Sequence, residues 1–177
     1  MTKTEFISKY GNFAKAASVN SGLSPVLILA QAYLESGRGE SLLSKKYNNF
    51  FGIKADKSWN GKRVLITTRE QDKQGKDYFI KAEFRVYPSP ADSFSDHIKF
   101  LKVNPRYRKA GLFSFPNDYN KQADTLQAAG YATDINYAKV LKAVGNNFES
   151  IFKKLSENNT ILLIPVLLGI GIYFLTK

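Results

Sequence analysis

Apolar residues recur at helical spacing from the start of the chain. Phe6, Ile7, Tyr10, Phe13, Ala14 and Ala17 mark one face of a helix over Thr4 to Val19. Ser24 followed by Pro25 reads as an N-cap and a first helical position. The helix it opens carries Val26, Leu27, Ala30, Tyr33 and Leu34, and Gly37 is its expected stop. Asn48 to Lys54 is aromatic-rich and loop-like. Val64 to Thr68 and Tyr78 to Val86 are β-prone, and the polar "REQDKQGKD" between them predicts a hairpin. After Pro88 and Pro90 the period turns helical again, with Phe94, Ile98 and Leu101 on one face. Asn104-Pro105 opens a short helical turn, and Asp118 to Ala129 reads as a helix stopped by Gly130. Asp134 to Leu155 is a long amphipathic helix through Tyr137, Val140, Leu141, Val144, Phe148, Ile151 and Phe152. The pattern predicts a mainly α (α+β) domain over residues 1–155 with a small β-hairpin lobe. A polar hinge follows at 156–159.

The remaining segment, 160–177, has a different character. Thr160 to Thr176 carries no charge. Its length of about 17 residues lies at the short end of what spans a bilayer. Pro165, Gly169 and Gly171 are tolerated in a membrane helix. A soluble helix keeps a polar face, and this one has none. The expectation is a single C-terminal transmembrane helix with the lipid bilayer as its partner.

With 177 residues the chain suits one well-cored domain. Its formal net charge of +11 favours polyanionic partners: nucleic acid, anionic lipid or an anionic wall polymer. The lysines are spread through nearly every segment and no nucleic-acid recognition motif is present, so no nucleic-acid partner is expected. The absence of cysteine removes disulfides, thiolate nucleophiles and thiolate metal sites. His97 is the only histidine, so a multi-histidine metal centre cannot be assembled. No metal or other cofactor is expected. Acid–base chemistry in such a chain rests on carboxylates.

One carboxylate stands out. Glu35 ends the apolar helix in "LILAQAYLESGRGES", just before Gly37 and Gly39. The buried face of that helix fixes its last turn, and partial desolvation there raises a carboxyl pKa. A protonated carboxyl at the wall of a cleft is the general acid that glycosidic cleavage needs. The glycines allow close approach of a substrate to the backbone. Acidic residues in last turns are common, so this feature alone is about even with an ordinary surface glutamate.

Further motifs occur in order. They are "AQAYLESGRGES", "NNFFGIKA" at Asn48 to Ala55, "TTRE" at Thr67 to Glu70, "FRVYPSPADSFSDHIKFL" at Phe84 to Leu101, "PRYRKAG" at Pro105 to Gly111 and "YATDINYAKVL" at Tyr131 to Leu141. Over roughly Thr4 to Phe152 the chain resembles the N-acetylglucosaminidases of glycoside hydrolase family 73, which include flagellar peptidoglycan hydrolases and wall autolysins. The resemblance implies a lysozyme-like fold and hydrolysis of the β-1,4 bond after N-acetylglucosamine in peptidoglycan. It also implies the site: Glu35 as general acid, Glu70 on the hairpin as second acidic residue, and Tyr131 in the cleft. Tyr137 falls at the "NY" position, and Asn49, Phe51 and Gly52 fall in a loop that faces the sugar. Arg38 stands where the family commonly has an aromatic, and Ile135 replaces a frequent proline.

The second carboxylate stays open on the residues themselves, among Glu70, Asp72, Asp77 and Glu83. Glu83 sits in strand alternation and reads better as an ion-pair partner. Participation of the substrate's own N-acetyl group is an alternative to a second carboxylate. Trp59 and Phe51 are candidates for stacking on sugar rings, whereas Phe50 reads as packing. Of the two tyrosines, Tyr131 has the better claim to a sugar contact. His97, among Phe94, Ile98 and Leu101, reads as structural or solvent-exposed.

Other function classes are a nucleic-acid-binding module and a catalytically inactive wall-binding or structural membrane protein. A muramidase or lytic transglycosylase would share the fold. The presence of both Glu35 and Glu70 argues against the inactive reading. No signal peptide is visible at the N-terminus. Lys139, Lys142, Lys153 and Lys154 precede the terminal span and only Lys177 follows it, which predicts a domain on the cytoplasmic side. The expectation is therefore a membrane-anchored phage or virion lytic enzyme, in the virion membrane or host inner membrane, with capsid or other virion proteins as candidate partners.

Overall fold

The computed structural model describes residues 1–71 and 76–154, with backbone alone at 69–71 and 77. The expected hinge and terminal span lie outside the described residues, as do Asp72 and the side chains of Glu70 and Asp77. Among the described residues no helix is long and apolar enough to cross a membrane.

Helix α1 (Lys3–Ser18) opens with a capping box: Thr2 accepts from the Glu5 amide, and the Glu5 carboxylate accepts from the Thr2 amide. Helix α2 (Pro25–Glu35) begins as expected, with the Ser24 hydroxyl accepting from the Val26 amide at 3.2 Å. Seven consecutive residues of α2, Leu27 to Tyr33, are buried. It is thus the central helix, covered on several sides, rather than a surface helix with one wet face. Helix α3 (Leu42–Tyr47) was not expected from the pattern. It buries only Ser44, so it has no apolar stripe, and the Ser41 cap marks its start instead.

Strands β1 (Arg63–Gln71) and β2 (Asp77–Arg85) form an antiparallel hairpin. They pair from Arg63 with Arg85 to Gln71 with Asp77, further toward the tip than the β-prone runs indicated. One parity of the ladder exposes Leu65 and Phe79, while Phe84 of the other parity joins the core. Arg63 pairs with Glu83 across the strands at 2.9 Å, the ion-pair role expected of Glu83.

Helix α4 (Pro90–Val103) starts with a second capping box, between Ser89 and Asp92. Its buried face is Phe94, His97, Ile98 and Leu101. The short α5 (Pro105–Lys109) and α6 (Tyr119–Ala128) follow, the latter capped by Asp118. A last helix, α7, spans residues 137–154 of the described chain. It places Tyr137, Leu141, Val144 and Phe148 in the core.

The core is aromatic where three helices meet. Phe6 of α1 meets Tyr33 of α2 edge-on at 5.1 Å, and Tyr33 meets Phe148 of α7 edge-on at 5.4 Å. The long α7 thus closes over the helices that begin the chain. The result is a mainly helical body with a two-stranded lobe, in agreement with the fold class read from the sequence.

Candidate active site

The polypeptide after Glu35 makes an unusual exit. Gly37, Arg38 and Gly39 take φ values of +57°, +65° and +75° in succession. Glycine adopts this region freely; for Arg38 it costs on the order of 1–2 kcal/mol. The Ser36 hydroxyl bonds the Ala32 carbonyl and accepts from the Gly39 amide, tying the turn to the last turn of α2. Glu35 is therefore presented from a rigid helix end and keeps access to solvent.

Tyr137, at the start of α7, donates its hydroxyl hydrogen to Glu35 Oε1 at 3.0 Å. The Gln31 amide, one turn back on α2 and fully buried, donates to the Tyr137 oxygen at 3.3 Å. The other end of Gln31, Oε1, lies 3.2 Å from His97 Nε2. With Gln31 oriented this way, Nε2 must carry the imidazole hydrogen and donate it. Every bond in the series then points toward Glu35. His97 Nδ1 is left as a buried nitrogen without a partner. The imidazole is held flat against Phe51, with centroids 3.8 Å apart and planes 3° from parallel.

The electrostatics follow from burial. Displacement of water around Glu35 raises its carboxyl above the ordinary value, and the Tyr137 hydrogen bond partly opposes that rise. Burial, followed by the nearby Glu35 charge, pushes the Tyr137 hydroxyl up, so it remains a protonated donor at any working pH. Tyr131 shifts in the same direction for the same two reasons. Burial lowers His97 to about 3, which keeps it neutral.

The aromatic wall beside Glu35 is a tyrosine pair. Tyr131 stacks on Tyr137 at 5.4 Å and meets His97 edge-on at 6.2 Å. The structure thus brings Glu35, Tyr131, Tyr137 and Phe51 into one cluster. Of the two tyrosines, it is Tyr137 that bonds the carboxylate, a role the sequence did not assign to either ring.

Asn49 lies behind this cluster. Its amide donates to the Ile53 and Arg85 carbonyls at 3.0 and 2.9 Å, and its oxygen accepts from the Ile53 amide at 3.0 Å. These bonds commit the side chain to holding the loop that presents Phe51, next to Gly52 at φ +61°. Phe50 is packed in the core, as expected. Glu70 pairs with Tyr78 in the ladder, and its side chain lies outside the described residues.

Trp59 is elsewhere, at the root of the hairpin. It meets Tyr87 at 5.6 Å and the Arg85 guanidinium at 4.7 Å, and its indole N–H donates to the Lys62 carbonyl. Arg85 in turn pairs with Asp96 of α4 at 2.7 Å, where the Tyr87 hydroxyl also donates. This half-buried network fixes the lobe to the helical body. Its members are far apart in the chain, and the helical period after Pro88 and Pro90 placed α4 without indicating these contacts.

Among the described residues no group of three or more His, Cys, Asp or Glu side chains is arranged to hold a metal ion. What the cluster offers is a carboxyl poised to hold a proton, a fixed hydroxyl beside it and ring surfaces around it.

Known proteins with this arrangement give it a context. Residues 11–150 match the family described as Glucosaminidase, mannosyl-glycoprotein endo-beta-N-acetylglucosaminidase. The peptidoglycan hydrolase FlgJ of Salmonella typhimurium is 38% identical over 157 residues, 86% of this chain and 48% of that protein. The exo-glucosaminidase LytG of Bacillus subtilis is 32% identical over 146 residues, 81% of this chain and 51% of that one. The chain spans about half the length of these curated relatives. The solved glycoside hydrolase domain of Salmonella typhimurium FlgJ superposes with a TM-score of 0.76 at 35% identity, covering 93% of this chain and 99% of that one. Family match, identity and shared architecture agree: the chain belongs to the glucosaminidase family of glycoside hydrolases.

Proposed function

We propose that the chain hydrolyses the glycan strands of peptidoglycan, cleaving the β-1,4 bond after N-acetylglucosamine, with Glu35 as general acid. The observation that carries this reading is the Glu35 carboxyl itself. It stands at the end of α2 with access to solvent, accepts the Tyr137 hydroxyl hydrogen at 3.0 Å, and is raised from its ordinary pKa by partial desolvation. Protonated Glu35 gives its hydrogen to the glycosidic oxygen as the bond to C1 breaks. Tyr137 then donates to the carboxylate left behind and stabilises it. Tyr131 supplies ring surface for the sugar, and Phe51, buried and stacked on His97, backs the site.

Attack at C1 needs a second group. Glu70 on the hairpin serves as base for a water molecule; the substrate's acetamido oxygen is the competing candidate. Glu70→Gln separates them, since activity falls in the first case and persists in the second.

The segment 160–177, uncharged from Thr160 to Thr176, is read as a membrane anchor after the 156–159 hinge, and the enzyme as a tethered lytic protein of a phage or virion. The support is the missing polar face and the lysines on its N-terminal flank. Protease digestion of inverted vesicles tests this: a cleaved domain supports the cytoplasmic orientation, and a shielded one overturns it.

The bond specificity is tested by mass spectrometry of borohydride-reduced digests of purified peptidoglycan. Reduced N-acetylglucosamine ends support the reading. Reduced N-acetylmuramic acid ends would make the enzyme a muramidase.

A further inference from the structure

A pocket of about 530 Å³ lies on the other side of α4 from His97, between that helix and the root of the hairpin. Its volume is in the range of small-molecule sites, roughly 300–1,000 Å³. Trp59, Val86, Tyr87 and Pro88 form its apolar wall. On α4 the pocket is lined by Asp92, Ser95, Asp96 and Lys99, a face turned away from buried Phe94 and His97. The thickness of a helix, about 10 Å, therefore separates it from the Gln31–Tyr137–Glu35 series.

The wall is built, not incidental. The Trp59 indole is fixed by its bond to the Lys62 carbonyl and by the Arg85 guanidinium. A Cβ at Gly61 would come within 2.5 Å of the indole, so glycine is required for the ring to sit there. Tyr87 and Arg85 are in turn locked to Asp96.

The pocket lining carries more positive than negative charge, since Arg85 neutralises Asp96 and Asp92 alone keeps its charge against Lys62 and Lys99. Asp96 is committed to Arg85 and Tyr87, and Asp92 to the Ser89 cap. Among the described residues, Lys62 and Lys99 have no carboxylate partner. Two exposed ammonium groups therefore rim an apolar recess from opposite elements, the hairpin root and α4. That combination fits a ligand with a carboxylate and a methyl-bearing body, and it does not favour a neutral sugar.

We propose that this pocket is an accessory site for the muramyl-peptide part of peptidoglycan, resting on the peptidoglycan reading above. A carboxylate of the peptide stem lies between Lys62 and Lys99, and the lactyl and alanyl methyls pack on Val86, Pro88 and the edge of Trp59. Such a site holds the polymer by its peptides while the glycan strand occupies the Glu35 cluster.

The sequence contains one tryptophan, so Trp59 emission reports this pocket alone. The full chain carrying Glu35→Gln, which prevents turnover, is titrated with three probes. Muramyl dipeptide, whose carboxylate is on the peptide, is expected to change the emission saturably. N-acetylmuramic acid tests whether the lactyl carboxylate suffices, and a weaker response from it assigns the site to the peptide. Neutral N-acetylglucosamine oligomers are expected to leave the emission unchanged. The double variant Lys62→Glu, Lys99→Glu, folded by circular dichroism, should weaken muramyl dipeptide binding by about tenfold or more. No saturable change with muramyl dipeptide, equal response to the neutral oligomers, or full binding by the double variant overturns the proposal. Wild-type release of glycan fragments is scored separately, so loss of the pocket and loss of the hydrolase reading are distinguished.

Discussion

The Tyr137 hydroxyl donates to Glu35 Oε1 at 3.0 Å, joining the first turn of α7 to the last turn of α2 across 102 positions of sequence. The donor is itself fixed by Gln31, which is fixed by His97. This bond favours the ionised carboxylate, whereas burial favours the protonated acid. The working pKa of the acid is the balance of the two.

Tyr137→Phe removes the opposing bond and keeps the ring. Glu35 should then hold its proton to higher pH. The pH–rate limb that reports the general acid is expected to move upward, with a lower maximal rate because the nascent carboxylate loses its donor. The check is a pH profile of kcat/KM on soluble glycan fragments. An unshifted limb would mean that Tyr137 does not act on Glu35.

Much of this arrangement has local signatures. The Ser24-Pro25 start of α2, the glycines after Glu35, and the alternation of the hairpin are all short-range patterns, and each led to the observed element. The long-range pairing did not. Gln31 is a polar position inside the apolar run "LILAQAYLE", and that break in the pattern was the available sign of a buried polar role. Nothing local distinguishes Tyr137 from Tyr131, because what separates them is which ring α7 carries to the end of α2. Helix α3 has no sequence periodicity, because its six residues bury a single serine.

Stability should depend on pH through two groups of opposite sign. His97 is lowered from 6.5 to about 3 in the fold, so the unfolded chain binds the extra proton first. Its neutral burial is fully tolerated above 6.5 and becomes destabilising as pH falls toward 3. Glu35 is raised above 4.5, so its ionisation destabilises the fold as pH rises from 4.5 through the folded value. Glu35→Gln is therefore expected to match or exceed the wild-type Tm at pH 7, with any gain vanishing below pH 4.5. Thermal melts of both proteins across pH 4–8 test this, and a lower Tm for the variant at pH 7 together with no low-pH convergence contradicts it.

The domain boundary is tested by packing. Phe148 of α7 is fully buried against Phe6 and Tyr33, so Phe148→Ala should cost about 3–5 kcal/mol. Removal of 160–177, in contrast, should leave the unfolding free energy and the activity on soluble fragments unchanged. Denaturant melts of the two variants separate these outcomes; a large loss on truncation would place the terminal segment in the core.

The central claim is that Glu35 delivers the proton to the leaving oxygen. Glu35→Gln keeps the size and the Tyr137 contact but has no acidic hydrogen to give. Turnover of purified peptidoglycan, followed by release of reducing ends at the pH optimum of the wild type, should fall by roughly 10²–10⁴-fold or more, with the circular dichroism spectrum unchanged. Wild-type turnover by folded Glu35→Gln would contradict the mechanism outright.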